Sequence, residues 1–82
     1  METEQILSLI AESAQQVLPE LAGHRFRPSD RLADLGADSV DRAEIVMLVT
    51  ESMQLSIPRT ELFGPTDIGE LAELLAKKAA NG

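Results

Sequence analysis

Cysteine, tryptophan and tyrosine are absent from this 82-residue chain, and Phe26 and Phe63 are its only aromatic residues. Without cysteine there is no disulfide, no thiolate metal ligand and no cysteine nucleophile, a usage compatible with a reducing cytosol. With so few aromatics, the core must be built from Leu, Ile, Val, Met and Ala, and a hydrophobic fraction of 44% is enough for that. The single histidine, His24, has no second histidine or cysteine to share a metal with, so it reads as a surface loop residue. No apolar run approaches the ~18–20 residues needed to cross a bilayer. The segment Met1-Glu2-Thr3-Glu4-Gln5 lacks the basic start of a secretory signal, so the chain is expected to be soluble and cytoplasmic. Positive charge is also scarce: 7 basic residues stand against 14 acidic ones, for a net charge of −7. Such a field repels nucleic acid and anionic lipid and attracts partners with basic patches. Residues 38–54 concentrate it, with four carboxylates and one arginine.

The length suits one domain, residues 1–82, because dividing it would leave two inadequate cores. Ile6, Ile10, Ala14, Val17 and Leu21 recur at helical steps, which predicts a first helix from about Thr3, as N-cap, to Leu21, limited by Pro19. Residues 23–34 have no helical period and form a long connection, pinned by Phe26 and Leu32. A second helix is expected from Ser39 to Met53, with Ile45, Val46, Val49 and Met53 inward. Around the cylinder from them, Val40, Glu44, Met47 and Glu51 form a second line that mixes apolar and acidic side chains, unusual for a plainly solvated face. After a connector with at most one helical turn at residues 60–63, Asp67 and Glu70 suggest a boxed start to the last helix. Ile68, Leu71, Leu74 and Leu75 are its buried stripe. The fold class is all-α: a small bundle of three main helices and one short turn.

The stretch with most chemical content is Leu35-Gly36-Ala37-Asp38-Ser39-Val40-Asp41-Arg42-Ala43-Glu44-Ile45-Val46-Met47. A glycine-containing turn delivers one serine, between carboxylates, to the start of a helix. Capping alone would explain a short polar residue there, and either Asp38 or Ser39 could supply it. A catalytic serine would need a base and an oxyanion hole. His24 is the one histidine, no Gly-x-Ser-x-Gly elbow is present, and Asp38 or Asp41 would be poor bases. An anion, by contrast, would be comfortable at this helix start.

This run, together with the helix lengths, the long first loop and the Ile57-Pro58 connector, resembles the acyl carrier proteins. Val40 replaces the usual leucine after the serine. The resemblance implies a four-helix carrier, not an enzyme, in which Ser39 bears phosphopantetheine whose thiol holds acyl groups as thioesters. It implies a phosphopantetheinyl transferase as one partner, and acyltransferase, ketosynthase, hydroxymethylglutaryl synthase-like and decarboxylase enzymes as others. Asp38, Val40, Asp41, Arg42, Glu44, Met47 and Glu51 would form the recognition face of a monomer. Gly36-Ala37-Asp38-Ser39 resembles acyl rather than peptidyl or D-alanyl carriers, and the start at Met1 resembles a free-standing one. Arg42, Thr50 and Ser52, on a helix that is usually more acidic in fatty-acid carriers, lean the resemblance towards discrete polyketide carriers of the β-branching type. A fatty-acid carrier, or an unmodified acidic interaction module in which Ser39 merely caps, are the alternatives.

Overall fold

The computed structural model describes residues 2–58 and 64–81, with Asn81 described by its backbone alone. Three α-helices, α1 (Thr3–Val17), α2 (Ser39–Ser52) and α3 (Ile68–Asn81), are joined by long connections, and no strand occurs among the described residues. The turn expected at residues 60–63 lies outside the described residues.

Periodicity explains α1 and α3. Each carries its apolar residues on one side, and Ile6, Ile10 and Ala14 of α1 meet Ile68, Leu71, Ala72 and Leu75 of α3 in one buried cluster with Ile45 and Val49 of α2. Helix α1 packs against both α2 and α3, which makes it the shared wall of the bundle. Val17, Val46 and Met53 are only half-buried and sit at the margin of the core, and Leu74, expected in the buried stripe of α3, is half-buried as well.

The first helix starts and stops differently from the expectation. Glu2, not Thr3, is the N-cap residue, and Gln5 Oε1 accepts from the Glu2 amide at 3.0 Å. A polar pair at positions 2 and 5 thus serves the first turn, leaving Thr3 inside the helix. Leu18 breaks the α-helix, and Pro19–Leu21 follow as a separate 3-10 turn that still buries Leu21. Proline at the first position of that turn gives up a donor the turn does not need.

The long first loop is fastened to the core and to the start of α3. Leu32 and Ala37 are buried and Phe26 packs at the core edge. The Ile68 amide donates to Asp30 O at 2.9 Å, and the Gly69 amide to Pro28 O at 2.8 Å, so two free N–H groups at the start of α3 are satisfied by the loop. A Cβ on Gly69 would stand 2.9 Å from the Pro28 carbonyl oxygen, which explains a glycine in this helix. Asp67 accepts from the Glu70 amide at 2.8 Å, while the Glu70 carboxylate reaches back to Thr66 rather than to Asp67, taking its amide at 2.7 Å and its hydroxyl at 2.6 Å. Those hydrogen bonds, the hydroxyl's first, hold the Glu70 carboxyl below its ordinary pKa.

Candidate functional site

Helix α2 departs from the pattern of the other two: its apolar residues are spread around the cylinder. Ile45 and Val49 are fully buried, yet Val40 is 72% and Met47 46% exposed. At about 100° per residue, Val40, Glu44, Met47 and Glu51 fall on one line, roughly opposite Ile45 and Val49. All four are exposed, so the mixed second line read from the sequence is a surface stripe and Met47 is not core. Ser39, Val40, Ala43, Glu44 and Met47 border an open, mainly apolar groove of about 410 Å³.

The turn before α2 is set by one residue type and several hydrogen bonds. Gly36 has φ +103°, a left-handed conformation that glycine adopts without a Cβ penalty. The Ala37 amide then donates to Leu32 O at 3.0 Å. Asp38 is the N-cap: its Oδ1 accepts from the Asp41 amide at 2.8 Å, and Asp41 Oδ2 accepts from the Asp38 amide at 3.1 Å. This reciprocal box answers the capping question. Ser39 is the first residue inside the helix, exposed, and its hydroxyl has no hydrogen-bond partner among the described residues.

The other residues of the expected recognition face divide between two sides. Asp38 is exposed and Asp41 half-buried, both engaged in the box. Arg42 is half-buried and turned inward, its Nη1 donating to the Ala37 carbonyl at 2.9 Å. The spacing already indicated this, because Arg42 precedes Ile45 by three residues and Val49 by seven.

His24 is not a free surface residue. It stacks edge-on against Phe26, centroids 4.7 Å apart at 89°, and its Nε2 lies 2.9 Å from Asp30 Oδ2. An ionised carboxylate can only accept, so Nε2 carries the proton. The Arg27 amide donates to the same oxygen at 2.8 Å. That hydrogen bond first, and His24 next, hold the Asp30 carboxyl below its ordinary pKa. Among the described residues, no cluster of His, Asp and Glu could hold a metal ion, and no helix is long and apolar enough to cross a membrane.

Residues 5–75 match the family model described as the phosphopantetheine attachment site. The chain is 54% identical to the "Polyketide biosynthesis acyl-carrier-protein AcpK" of Bacillus subtilis (strain 168) over 78 residues, 95% of each chain. The chain belongs to the acyl carrier protein family. This carrier is also 30% identical to an "Acyl carrier protein" of Prochlorococcus marinus (strain MIT 9515), over 95% of its own length and 98% of that relative. Among solved structures it superposes on a chain of the "Crystal Structure of the Curacin Biosynthetic Pathway HMG Synthase in Complex with Acetyl Donor-ACP". That match has a TM-score of 0.91 at 49% identity and covers 95% of this carrier and all of that chain.

Members of the family carry phosphopantetheine covalently on a serine. The geometry around Ser39 fits that group. The hydroxyl is exposed and uncommitted, the Ser39 and Val40 amides lie at the positive end of the α2 dipole with no backbone partner among the described residues, and both neighbouring aspartates are occupied by capping.

Proposed function

We propose that Ser39 is the attachment serine of this carrier, and that the loaded carrier supplies acyl groups to a β-branching step of polyketide biosynthesis. The observation behind the first half is the division of labour at the start of α2, where Asp38 does the capping and the neighbouring hydroxyl is left exposed without a partner among the described residues. When bound, the arm supplies a thiol that holds the cargo as a thioester. The chain's own residues present Ser39 to a phosphopantetheinyl transferase, which brings its own base, because the one histidine of this chain is engaged with Asp30. The protein acts as a single carrier domain, monomeric and cytoplasmic, and performs no catalysis itself. The pathway half is supported by similarity to AcpK and to the curacin acetyl donor carrier. On this reading, a hydroxymethylglutaryl synthase-like enzyme receives the acyl group, a decarboxylase or acyltransferase prepares it, and a ketosynthase of fatty-acid elongation is a poor acceptor. Asp38, Val40, Asp41, Glu44, Met47 and Glu51 form the docking face: the apolar pair supplies contact and the carboxylates encounter rate.

The test is intact mass after coexpression with a promiscuous transferase. The chain gains one arm, and Ser39→Ala gains none while remaining helical. Modification that persists in Ser39→Ala would remove the assignment. An acetyl-loaded form offered side by side to a β-branching synthase and to fatty-acid elongation enzymes decides the pathway. Repeated elongation without transfer to the synthase would leave a fatty-acid carrier. A chain that accepts no arm at all would be an acidic interaction module.

A further inference from the structure

Arg42 stands where a cation is not expected. It lies at the fourth position of α2, near the end at which the helix dipole disfavours positive charge. It is also the only basic residue among residues 38–54. Its spacing places it on the inward line with Ile45 and Val49, away from Val40, Glu44, Met47 and Glu51. Arg42 lines a cleft of mixed character with Leu32, Ile68, Leu71, Arg31 and Asp67, and its guanidinium ends on the Ala37 carbonyl. Ala37 is only 3% exposed. Its carbonyl falls just outside the helical ladder, which begins with Asp38 O accepting from the Arg42 amide, and no other partner for it exists among the described residues. A buried carbonyl left without a donor is costly, and removing the Arg42 guanidinium would leave one behind.

We infer that Arg42 is a positioning residue for the modification of Ser39, acting through Ala37 and not as a charge offered to partner enzymes. This rests on Ser39 being the attachment site. Five hydrogen bonds converge on the two residues before the serine: the Ala37 amide to Leu32 O at 3.0 Å, Arg42 Nη1 to the Ala37 carbonyl at 2.9 Å, the Asp38 amide to Asp41 Oδ2 at 3.1 Å, the Asp41 amide to Asp38 Oδ1 at 2.8 Å and the Arg42 amide to Asp38 O at 2.9 Å. The next side chain, Ser39, has none among the described residues. A fixed frame around an unrestrained hydroxyl suits a nucleophile that an external enzyme must align, since misplacement by about 1 Å can cost on the order of 100-fold in rate. Arginine provides this from one turn further along the helix, because its side chain is long enough for the planar head to reach back to the Ala37 carbonyl.

The experiment uses the unmodified chain, coenzyme A and a promiscuous transferase, with attachment rate read by intact mass at low and high salt. Amide exchange across residues 37–40 is measured in parallel. Arg42→Met keeps an apolar stem and removes the donors. It is expected to slow attachment roughly three- to tenfold, by the same factor at both salt concentrations, and to speed exchange at Asp38 and Ser39 while α3 amides are unchanged. Modification still runs to completion, which separates this result from failure of the Ser39 assignment, in which the parent chain takes no arm. Arg42→Lys recovers rate and protection together or misses both together. A deficit that vanishes at high salt, a rate loss without altered exchange, or an unchanged rate would each return Arg42 to the role of a surface charge. Should Arg42→Met not fold, Arg42→Gln, which also lacks the guanidinium, is read against the same outcomes.

Discussion

At the scale of single residues, two backbone positions among the described residues adopt left-handed conformations, and the chain treats them differently. Gly36, φ +103°, opens the turn into α2, and Gln54, φ +56°, closes the same helix. At the closing end the Leu55 amide donates to Thr50 O at 2.9 Å and the Gln54 amide to Glu51 O at 3.1 Å. This is the Schellman pattern, which ordinarily places glycine where Gln54 stands. A Cβ in the left-handed region costs roughly 1–2 kcal/mol, part of which glycine returns through greater freedom when unfolded. Gln54→Gly is therefore expected to stabilise the fold by about 0.5–1 kcal/mol, read as a higher denaturant midpoint at unchanged slope. An unchanged or lower midpoint would mean that the glutamine side chain stabilises the turn by more than its strain costs. Gly36 was legible as a turn residue because glycine advertises such a position. Gln54 was not, because nothing in an isolated glutamine signals positive φ. Arg42 was legible in principle, since its spacing from Ile45 and Val49 marks it as inward, but a charged side chain draws the eye to the surface.

At the scale of elements, the inward stripes of α1 and α3 follow from period, and within the more evenly apolar α2 so does the pair Ile45 and Val49, because Ile6, Ile10, Ala14, Ile45, Val49, Ile68, Leu71 and Leu75 all repeat at three or four residues and all are buried. The start of α2 was legible as well, down to the choice between two capping residues, which only coordinates could make. What period could not reach was the fastening of the first loop. That depends on His24, Phe26, Arg27 and Asp30 meeting within an aperiodic stretch, and on loop carbonyls finding the free amides of α3. This fastening has a pH dependence of determined sign. The Arg27 amide and His24 depress the Asp30 carboxyl in the folded state, so its contribution to stability is complete above the ordinary carboxylate range. It is lost as pH falls through that range towards the folded pKa. Asp30→Asn should therefore lower stability near neutral pH and converge with the parent chain as the solution becomes strongly acidic. Amide exchange at Ile68 and Gly69 locates the effect, because their acceptors lie in the same loop. A gap between the two proteins that stays constant with pH would assign the loss to side-chain packing instead of to the carboxylate's charge.

At the scale of the whole molecule, a net charge of −7 draws basic partners from a distance, but it cannot by itself choose the surface on which they land. The exposed line of Val40, Glu44, Met47 and Glu51 is suited to that choice, because carboxylates alternate there with apolar side chains that solvent has no reason to favour. The two contributions separate by moving the same charge change to two places. Glu44→Lys and Glu73→Lys both bring the net charge to −5, but Glu44 lies on the α2 stripe and Glu73 is an exposed residue of α3. If the face steers docking, Glu44→Lys slows association with a cognate enzyme several-fold at low salt, while Glu73→Lys changes it little. The difference should shrink as salt brings the screening length to about 10 Å near 0.1 M. Fold stability should stay within about ±0.5 kcal/mol for both variants, so the kinetics are read on intact carriers. Equal slowing by the two would make the net field, and not α2, the source of steering. Loss in Glu73→Lys alone would move the docking face to α3, and the exposed Val40 and Met47 would then require another explanation.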